Sequence, residues 1–171
     1  EYCENLVSVT IPDSVTSIGS FAFYNCNSLT NITVDKNNKN YSSDNFGVLF
    51  NKNKTDLIHY PIGNTRTIYA IPDSVTSIGD WAFYYCESLT SVVIPDGVTT
   101  IGDSAFSSCD GLASIVIPDS VTTIDENAFW GSDSLADVYF TGTEEEWNQI
   151  VGSYDEFLNN ATIHYNYVPE E

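Results

Sequence analysis

Basic side chains are nearly missing from this chain of 171 residues: Lys and Arg together number 5 against 24 Asp and Glu, for a formal charge of −19. A surface of that sign repels phosphate backbones and anionic headgroups, so nucleic acid and anionic membrane surfaces are not expected partners. Long apolar runs are lacking too; none approaches the ~20 residues that span a bilayer. Cysteine is limited to Cys3, Cys26, Cys86 and Cys109, with no C-x2-C pair of the kind that metal sites use. The two histidines, His59 and His164, have no Cys, Asp or Ser partner close by in sequence. A base, a nucleophile and an orienting group would have to converge for catalysis, and nothing in the sequence marks such a set. Asp35, Asn37 and Asn40 resemble a calcium loop only faintly, because Lys39 takes the fifth position and the Gly and distal Glu are missing. No catalytic residue, cofactor or metal is therefore expected.

What is present is repetition. Ile71-Pro72-Asp73-Ser74-Val75-Thr76-Ser77-Ile78-Gly79 returns at Ile94–Gly102 and Ile117–Asp125, 23 residues apart each time, and occurs earlier at Ile11–Gly19. A fixed period in the twenties with apolar positions inside it marks a stacked solenoid, in which no unit can bury its own apolar face. Within each unit a triplet such as Val92-Val93-Ile94 alternates as a short strand, its outer residues inward and its middle one outward. Pro12, Pro72, Pro95 and Pro118 stop these strands, since proline has no ladder N–H to give. Val75 and Ile78, and their equivalents, re-enter the core. Gly19, Gly79 and Gly102, with Asp125 in the last copy, predict a positive φ. The Ala-Phe pairs 22–23, 82–83, 105–106 and 128–129 predict a helical or 3₁₀ turn on the convex side, with the Phe residues stacked as a continuous spine. The four cysteines share one repeat position and predict a column of small buried thiols.

The expected organisation is one domain, 1–171: N-terminal repeats over 1–34, an irregular repeat over 35–70, regular repeats over 71–140 and a C-terminal cap over 141–171. The step from Val34 to Ile71 is 37, a period plus 14 residues. Val48–Phe50 and Leu57–Tyr60, flanking Asn51–Asp56, predict that the excess protrudes as a β-hairpin. Lys36, Lys39, Lys52 and Lys54 fall there, with Arg66 after it, making one less negative patch. Thr143-Glu144-Glu145-Glu146 is a capping box for a helix through Trp147 and Ile150. A second helix is expected to open at Ser153, and a strand over Ala161–Tyr167. Residue 1 falls inside a unit, so further repeats are expected before it.

The pattern Ile-Pro-x-x-Val-x-x-Ile-Gly-x-x-Ala-Phe-x-x-Cys-x-x-Leu closely resembles the BspA-like class of bacterial leucine-rich repeats. It runs through 71–93, 94–116 and 117–139, and through 11–33. The third of these departs at Asp125 for Gly and Ser132 for Cys. The resemblance implies a leucine-rich-repeat solenoid: a right-handed coil with a parallel sheet of about six strands on one face and short turns on the other. It also implies an extracellular or cell-surface role in protein binding and adhesion, in host-associated microbes. The expected partner is an extracellular host or microbial protein; a glycan, or a spacer role with no partner, are the other readings. Two surfaces are candidates. The strand face carries Thr33, Ala70, Val93, Val116, Asp137 and Tyr139, and a concave sheet is where solenoids usually recognise partners. The convex side carries Phe21, Tyr24, Trp81, Tyr84, Tyr85 and Trp130 beside the Ala-Phe pairs, and exposed aromatics suit proteins or sugar faces.

Overall fold

Each repeat triplet becomes a strand in the computed structural model, which describes residues 2–150 and 161–169. These strands are β1 (Ser8–Ile11), β2 (Asn31–Val34), β6 (Ile68–Ala70), β8 (Ser91–Val93), β10 (Ser114–Ile117) and β12 (Asp137–Phe140). They pair in parallel and in register, as Ser114↔Asp137 through Ile117↔Phe140 illustrates. The inward members, such as Val92, Ile94, Ile115 and Ile117, are buried, and the middle residue of each triplet faces out. A final strand, β13 (Thr162–His164), adds to β12 in parallel.

The strand face is not continuous. β1 and β2 pair with each other, whereas β6, β8, β10, β12 and β13 form a separate five-stranded sheet. Between them the Asp44–Val48 turn takes the place of a rung: the Ile32 amide donates to the Gly47 carbonyl at 3.1 Å. Asp44 ties this turn to the next coil by accepting from the Tyr69 hydroxyl at 2.8 Å.

A second sheet was not foreseen. The short strands β7 (Ser77–Ile78), β9 (Thr100–Ile101) and β11 (Thr123–Ile124) pair in parallel along another side of the coil. The irregular unit completes it with β3 (Tyr41–Ser43), β4 (Leu49–Asn51) and β5 (Asp56–His59), and β5 pairs in parallel with β7. The hairpin β4–β5 is therefore present, but it does not protrude. Leu49, Phe50 and Leu57 are fully buried, so their apolar side chains draw the hairpin into the stack as its own rungs.

The Ala-Phe segments are not helical. Every second amide closes a tight turn, as Ala82 N–H to Gly79 C=O, Tyr84 to Trp81 and Cys86 to Phe83, each at 3.2 Å. The amides between them donate to the next coil, as Phe83 to Ala105 and Phe106 to Ala128, both at 2.7 Å. A helix would spend all these donors within the segment; dividing them ties each coil to its neighbour. Positive φ does not fall on Gly19, Gly79, Gly102 or Asp125 but two residues later in the regular coils, at Trp81 (59°), Ser104 (53°) and Asn127 (59°). Glycine is required at 102 for space instead: a Cβ there would lie 2.8 Å from the Asp80 backbone nitrogen.

Phe83, Phe106 and Phe129 are fully buried and stacked, with centroids 4.8 and 5.4 Å apart and planes within 6°. Tyr60, in the irregular unit, continues this column on Phe83 at 5.3 Å. Phe23 does not join it: it is half-buried and stacks on His59 at 5.2 Å, because the intervening unit has a hairpin where an Ala-Phe loop would stand. The thiol column holds for Cys86 and Cys109; Cys26 is buried as well but in the N-terminal core, Cys3 is exposed, and none of the four is in a disulfide. Ser132 replaces the next thiol by the same bond: its hydroxyl donates to Phe106 C=O at 2.6 Å, as Cys109 Sγ does to Phe83 C=O at 3.0 Å. At the far end α1 (Glu144–Ile150) begins at the expected capping box, with Glu146 N–H on Thr143 Oγ1 at 3.3 Å and Thr143 N–H on the Glu146 carboxylate at 2.8 Å. Its buried Trp147 packs on Phe140, centroids 5.2 Å apart. The helix expected from Ser153 lies outside the described residues.

Candidate interaction surfaces

Register alone assembles the first surface. Ala70, Val93, Val116 and Tyr139 stand opposite one another across four strands, and His164 follows Tyr139 on β13. Scaffold demands end at the inward positions, so these outward ones are free to be apolar or polar, and here they are apolar. Ile68 is 61% and Val93 51% exposed; Val116 and Tyr139 are half-buried. A groove of about 410 Å³ runs beside this ridge, lined by Val93, Pro95, Val116, Pro118 and Pro169. Exposed Asp73, Asp96 and Asp119 border the ridge at the strand ends.

The ridge ends in a polar-aromatic corner. His164 Nε2 lies 2.7 Å from Asp137 Oδ1, and the imidazole stacks on Tyr139 at 4.6 Å. Tyr167 meets the other flank of Tyr139 at 4.7 Å. Asp137 and Tyr139 are thus brought together with the apolar ridge, whereas Thr33 is not: it faces out from the separate β1–β2 pair. The alternation of the strand marked Asp137, but its partner comes from a strand beyond the repeat, for which the period carries no signal.

The second surface lies on the turn-forming loops. Trp81, Tyr84 and Tyr85 come together there with Phe21 and Tyr24 of the first coil and with Tyr2, which sequence reasoning did not include. Tyr24 stacks on Tyr84 at 5.4 Å, Phe21 meets Trp81 edge-on at 5.6 Å, and Tyr2 meets Tyr24 at 5.7 Å. The loops of coils 11–33 and 71–93 are neighbours here because the hairpin occupies no place among them. Burial and a hydroxyl hydrogen bond with Tyr24 push the Tyr84 phenol up to about 12, so it stays neutral. Trp130, 56% exposed, stands apart from this cluster across a depression of about 390 Å³.

A third depression, of about 260 Å³, opens where the regular stack meets the N-terminal coils, between Ile18 and Phe23 on one side and His59 and Asp80 on the other. His59 Nε2 is buried there with no hydrogen-bond partner among the described residues, and burial lowers its pKa to about 4. Among the described residues, no group of three or more His, Cys, Asp or Glu is placed to hold a metal ion. Asp35 and Asn37 instead close a turn on themselves, the Asn37 amide donating to Asp35 Oδ1 at 2.8 Å. No helix among the described residues is long and apolar enough to cross a membrane.

Comparison with known proteins places this architecture. Residues 1–58 and 60–167 match a model of the BspA type leucine rich repeat region in six copies. A leucine-rich repeat protein from Eubacterium ventriosum is similar in structure, with 34% identity and a TM-score of 0.80 over 92% of this chain and 41% of that one. The pneumococcal vaccine antigen PcpA is similar at 25% identity and TM-score 0.76, over 94% of this chain and 45% of that one. A leucine rich cell surface protein from Faecalibacterium prausnitzii is similar at 26% and 0.63, over 95% and 48% respectively. The chain thus spans less than half the length of each of these three. No curated protein matches it.

Proposed function

Because the chain belongs to the BspA-type leucine-rich-repeat family, we propose that it is a non-catalytic, protein-binding adhesion module, secreted or carried on the surface of a host-associated microbe, and that it holds its partner on the strand face. Relatives described as a vaccine antigen and as a cell surface protein support the location. The observation that carries the choice of face is the ridge of Ala70, Val93, Val116 and Tyr139, flanked by exposed Ile68 two residues before Ala70 on the same strand. It is a row of outward apolar side chains on a rigid sheet, which the packing of the coils does not need. Desolvating such a ridge supplies the affinity, while the surrounding carboxylates favour a partner with a basic rim and speed its approach.

The test is capture of serum and extracellular-matrix proteins on immobilised chain, followed by affinity measurement on each protein retained. Val93→Asp places an unpaired charge in the centre of the contact and is expected to weaken binding about tenfold or more. Trp130→Ser, on the other surface, is expected to leave it unchanged. Retention that ignores Val93→Asp overturns the assignment of the face, and no retained protein at all overturns the adhesive reading.

A further inference from the structure

The loop face carries a slot built by one missing ring. Counting in steps of 23, Tyr84, Ser107 and Trp130 occupy one position on three successive coils, so a small residue stands between two aromatic ones. The depression of about 390 Å³ described above lies there, with Tyr84 and Trp81 at one end, Trp130 at the other and Ser107 in its floor. The adjoining Phe83, Phe106 and Phe129 are stacked 4.8 and 5.4 Å apart, so side chains two coils apart are separated by roughly 10 Å. Carbon atoms touching a ring sit about 3.5–4.0 Å from it. A flat group contacting both walls would fill only about 7–8 Å of that height, and a puckered ring, with carbons above and below its mean plane and substituents at its edge, fills more of it.

Four further observations bear on the occupant. The amides around the slot are already spent: Trp81 on Asp103 C=O, Tyr85 on Ser107 C=O, Ser107 on Ser104 C=O and Ser108 on Trp130 C=O. An extended peptide would therefore find no backbone edge to pair with, and recognition falls to side chains. The polar groups that line the slot beside the rings are Asp103, Asn127 and serine hydroxyls, which together accept from and donate to hydroxyl groups. The Ser107 hydroxyl is buried and has no hydrogen-bond partner among the described residues, a cost that native proteins seldom leave standing without a use. Trp81 and Asn127 are also held at positive φ, 59° each. That backbone is unfavourable for a tryptophan, and it fixes the walls in place before anything binds.

We propose that this slot binds one neutral pyranose residue of a glycan, its apolar faces against Tyr84 and Trp130 and its hydroxyls on Asp103, Asn127 and Ser107. An acidic sugar is disfavoured by Asp103 and by the net charge of −19. The site is separate from the strand-face ridge, so either assignment can fail alone.

Tryptophan fluorescence of the whole chain reads this directly. Of the three tryptophans, Trp147 is buried against Phe140, leaving Trp81 and Trp130 to report on the slot. Titration with the methyl glycosides of glucose, galactose and mannose and with N-acetylglucosamine is expected to give a saturable change with at least one. For a single sugar residue the affinity is expected to be on the order of 1 mM. It should be unaffected by raising NaCl from about 50 to about 500 mM, since no charge pair is involved. Trp130→Ser and Tyr84→Ser each install the residue that the middle coil already carries, so the coil tolerates them. Each is expected to weaken binding about tenfold, while Tyr85→Ser, outside the slot, leaves it within twofold. Ser107→Ala is expected to weaken binding several-fold with no loss of melting temperature, because its hydroxyl has no hydrogen-bond partner among the described residues. The proposal is overturned if none of these sugars gives a saturable response up to about 50 mM, well above the expected affinity. Affinity that survives both serine variants overturns it as well. So does a response given only by a lysine-rich peptide and abolished by salt, which would make the slot a cation site.

Discussion

The regular coils, 71–140, and the irregular unit before them, 35–70, belong to one stack but are held in it by different means. In the regular coils the same devices recur from coil to coil: a strand rung, a second short rung, a loop amide on the next coil, a phenylalanine on the next phenylalanine. Apolar burial there is continuous from Val48 and Tyr60 through Phe129 to Trp147. The N-terminal coils have a separate, smaller core of Ile11, Cys26, Leu29, Ile32 and Leu49. Between the two, single polar residues replace repetition. Asn38 is fully buried; its amide donates to Pro12 C=O at 2.7 Å and Val15 C=O at 3.0 Å, and its oxygen accepts from the Asn40 and Tyr41 amides at 2.8 Å. Asn64 reaches Phe46 C=O at 3.1 Å. The difference teaches that a solenoid can absorb an aperiodic unit if specific hydrogen bonds stand in for the lost stacking.

The largest effect that should separate the two regions is loss of a ring. Phe106→Ala leaves a cavity between two stacked neighbours and should cost about 3–5 kcal/mol. Phe23→Ala, the same repeat position beside the irregular unit, removes a ring that is only half-buried and should cost about 1–2 kcal/mol. Urea unfolding of both variants measures this, and equal losses would mean that Phe23 belongs to the spine after all.

A pH profile sharpens the comparison from the other side. Burial lowers the His59 pKa from 6.5 to about 4, so the folded state holds it neutral. Between those values the unfolded chain takes up a proton that the folded chain refuses. The stability this contributes is complete above about pH 6.5 and is lost as pH falls towards 4, by about 3 kcal/mol. Subtracting the profile of His59→Leu removes the carboxylates common to both proteins. The wild type should lose that amount relative to the variant over this window; parallel profiles would show that the histidine is hydrated in the folded state. No regular coil contains such a group.

How far the sequence could be read follows the same division. The 23-residue period located all six triplet strands and the buried Phe, Leu and Cys positions, because stacking makes identical residues meet identical surroundings. It could not reveal where Tyr60 goes, since that residue fills a phenylalanine place without its Ala neighbour. Nor could it reveal that the hairpin lies inside the stack: Asn51–Asp56 reads as a turn whether it projects or packs. The second sheet was missed because its strands in the regular coils, β7, β9 and β11, are two residues long, below any pattern of alternation. For the surfaces, period and alternation pointed to Ala70, Val93, Val116 and Tyr139 on one face and to Trp81, Tyr84 and Trp130 on another. The slot between Tyr84 and Trp130 was legible in principle as an aromatic–serine–aromatic column. Neighbouring Tyr2 was not, because it lies outside the Ala-Phe pattern and reaches the cluster only through Tyr24.

The smallest expected difference is the most exacting, because it compares one residue type at one repeat position. A Cβ on Gly19 would meet nothing within 4 Å, while one on Gly102 would lie 2.8 Å from the Asp80 nitrogen and 2.9 Å from the Gly79 carbonyl carbon. Neither glycine has a positive φ, so only space distinguishes them. Gly19→Ala should then be neutral or stabilising by about 0.4–1 kcal/mol, through the unfolded chain's lost freedom. Gly102→Ala should cost about 1–3 kcal/mol, as backbone of two coils is forced apart. Asp125, one coil further on, carries a Cβ at the same position and is exposed, so the fold can stand off where the sequence requires it. The penalty at 102 therefore measures how firmly loops 79–86 and 102–109 are pressed together, which is the contact that sets the height of the Tyr84–Trp130 slot. If both substitutions behave alike in thermal unfolding, the loops of the regular coils are no tighter than that of the N-terminal one, and repetition confers no closer packing than the hydrogen-bonded exceptions do.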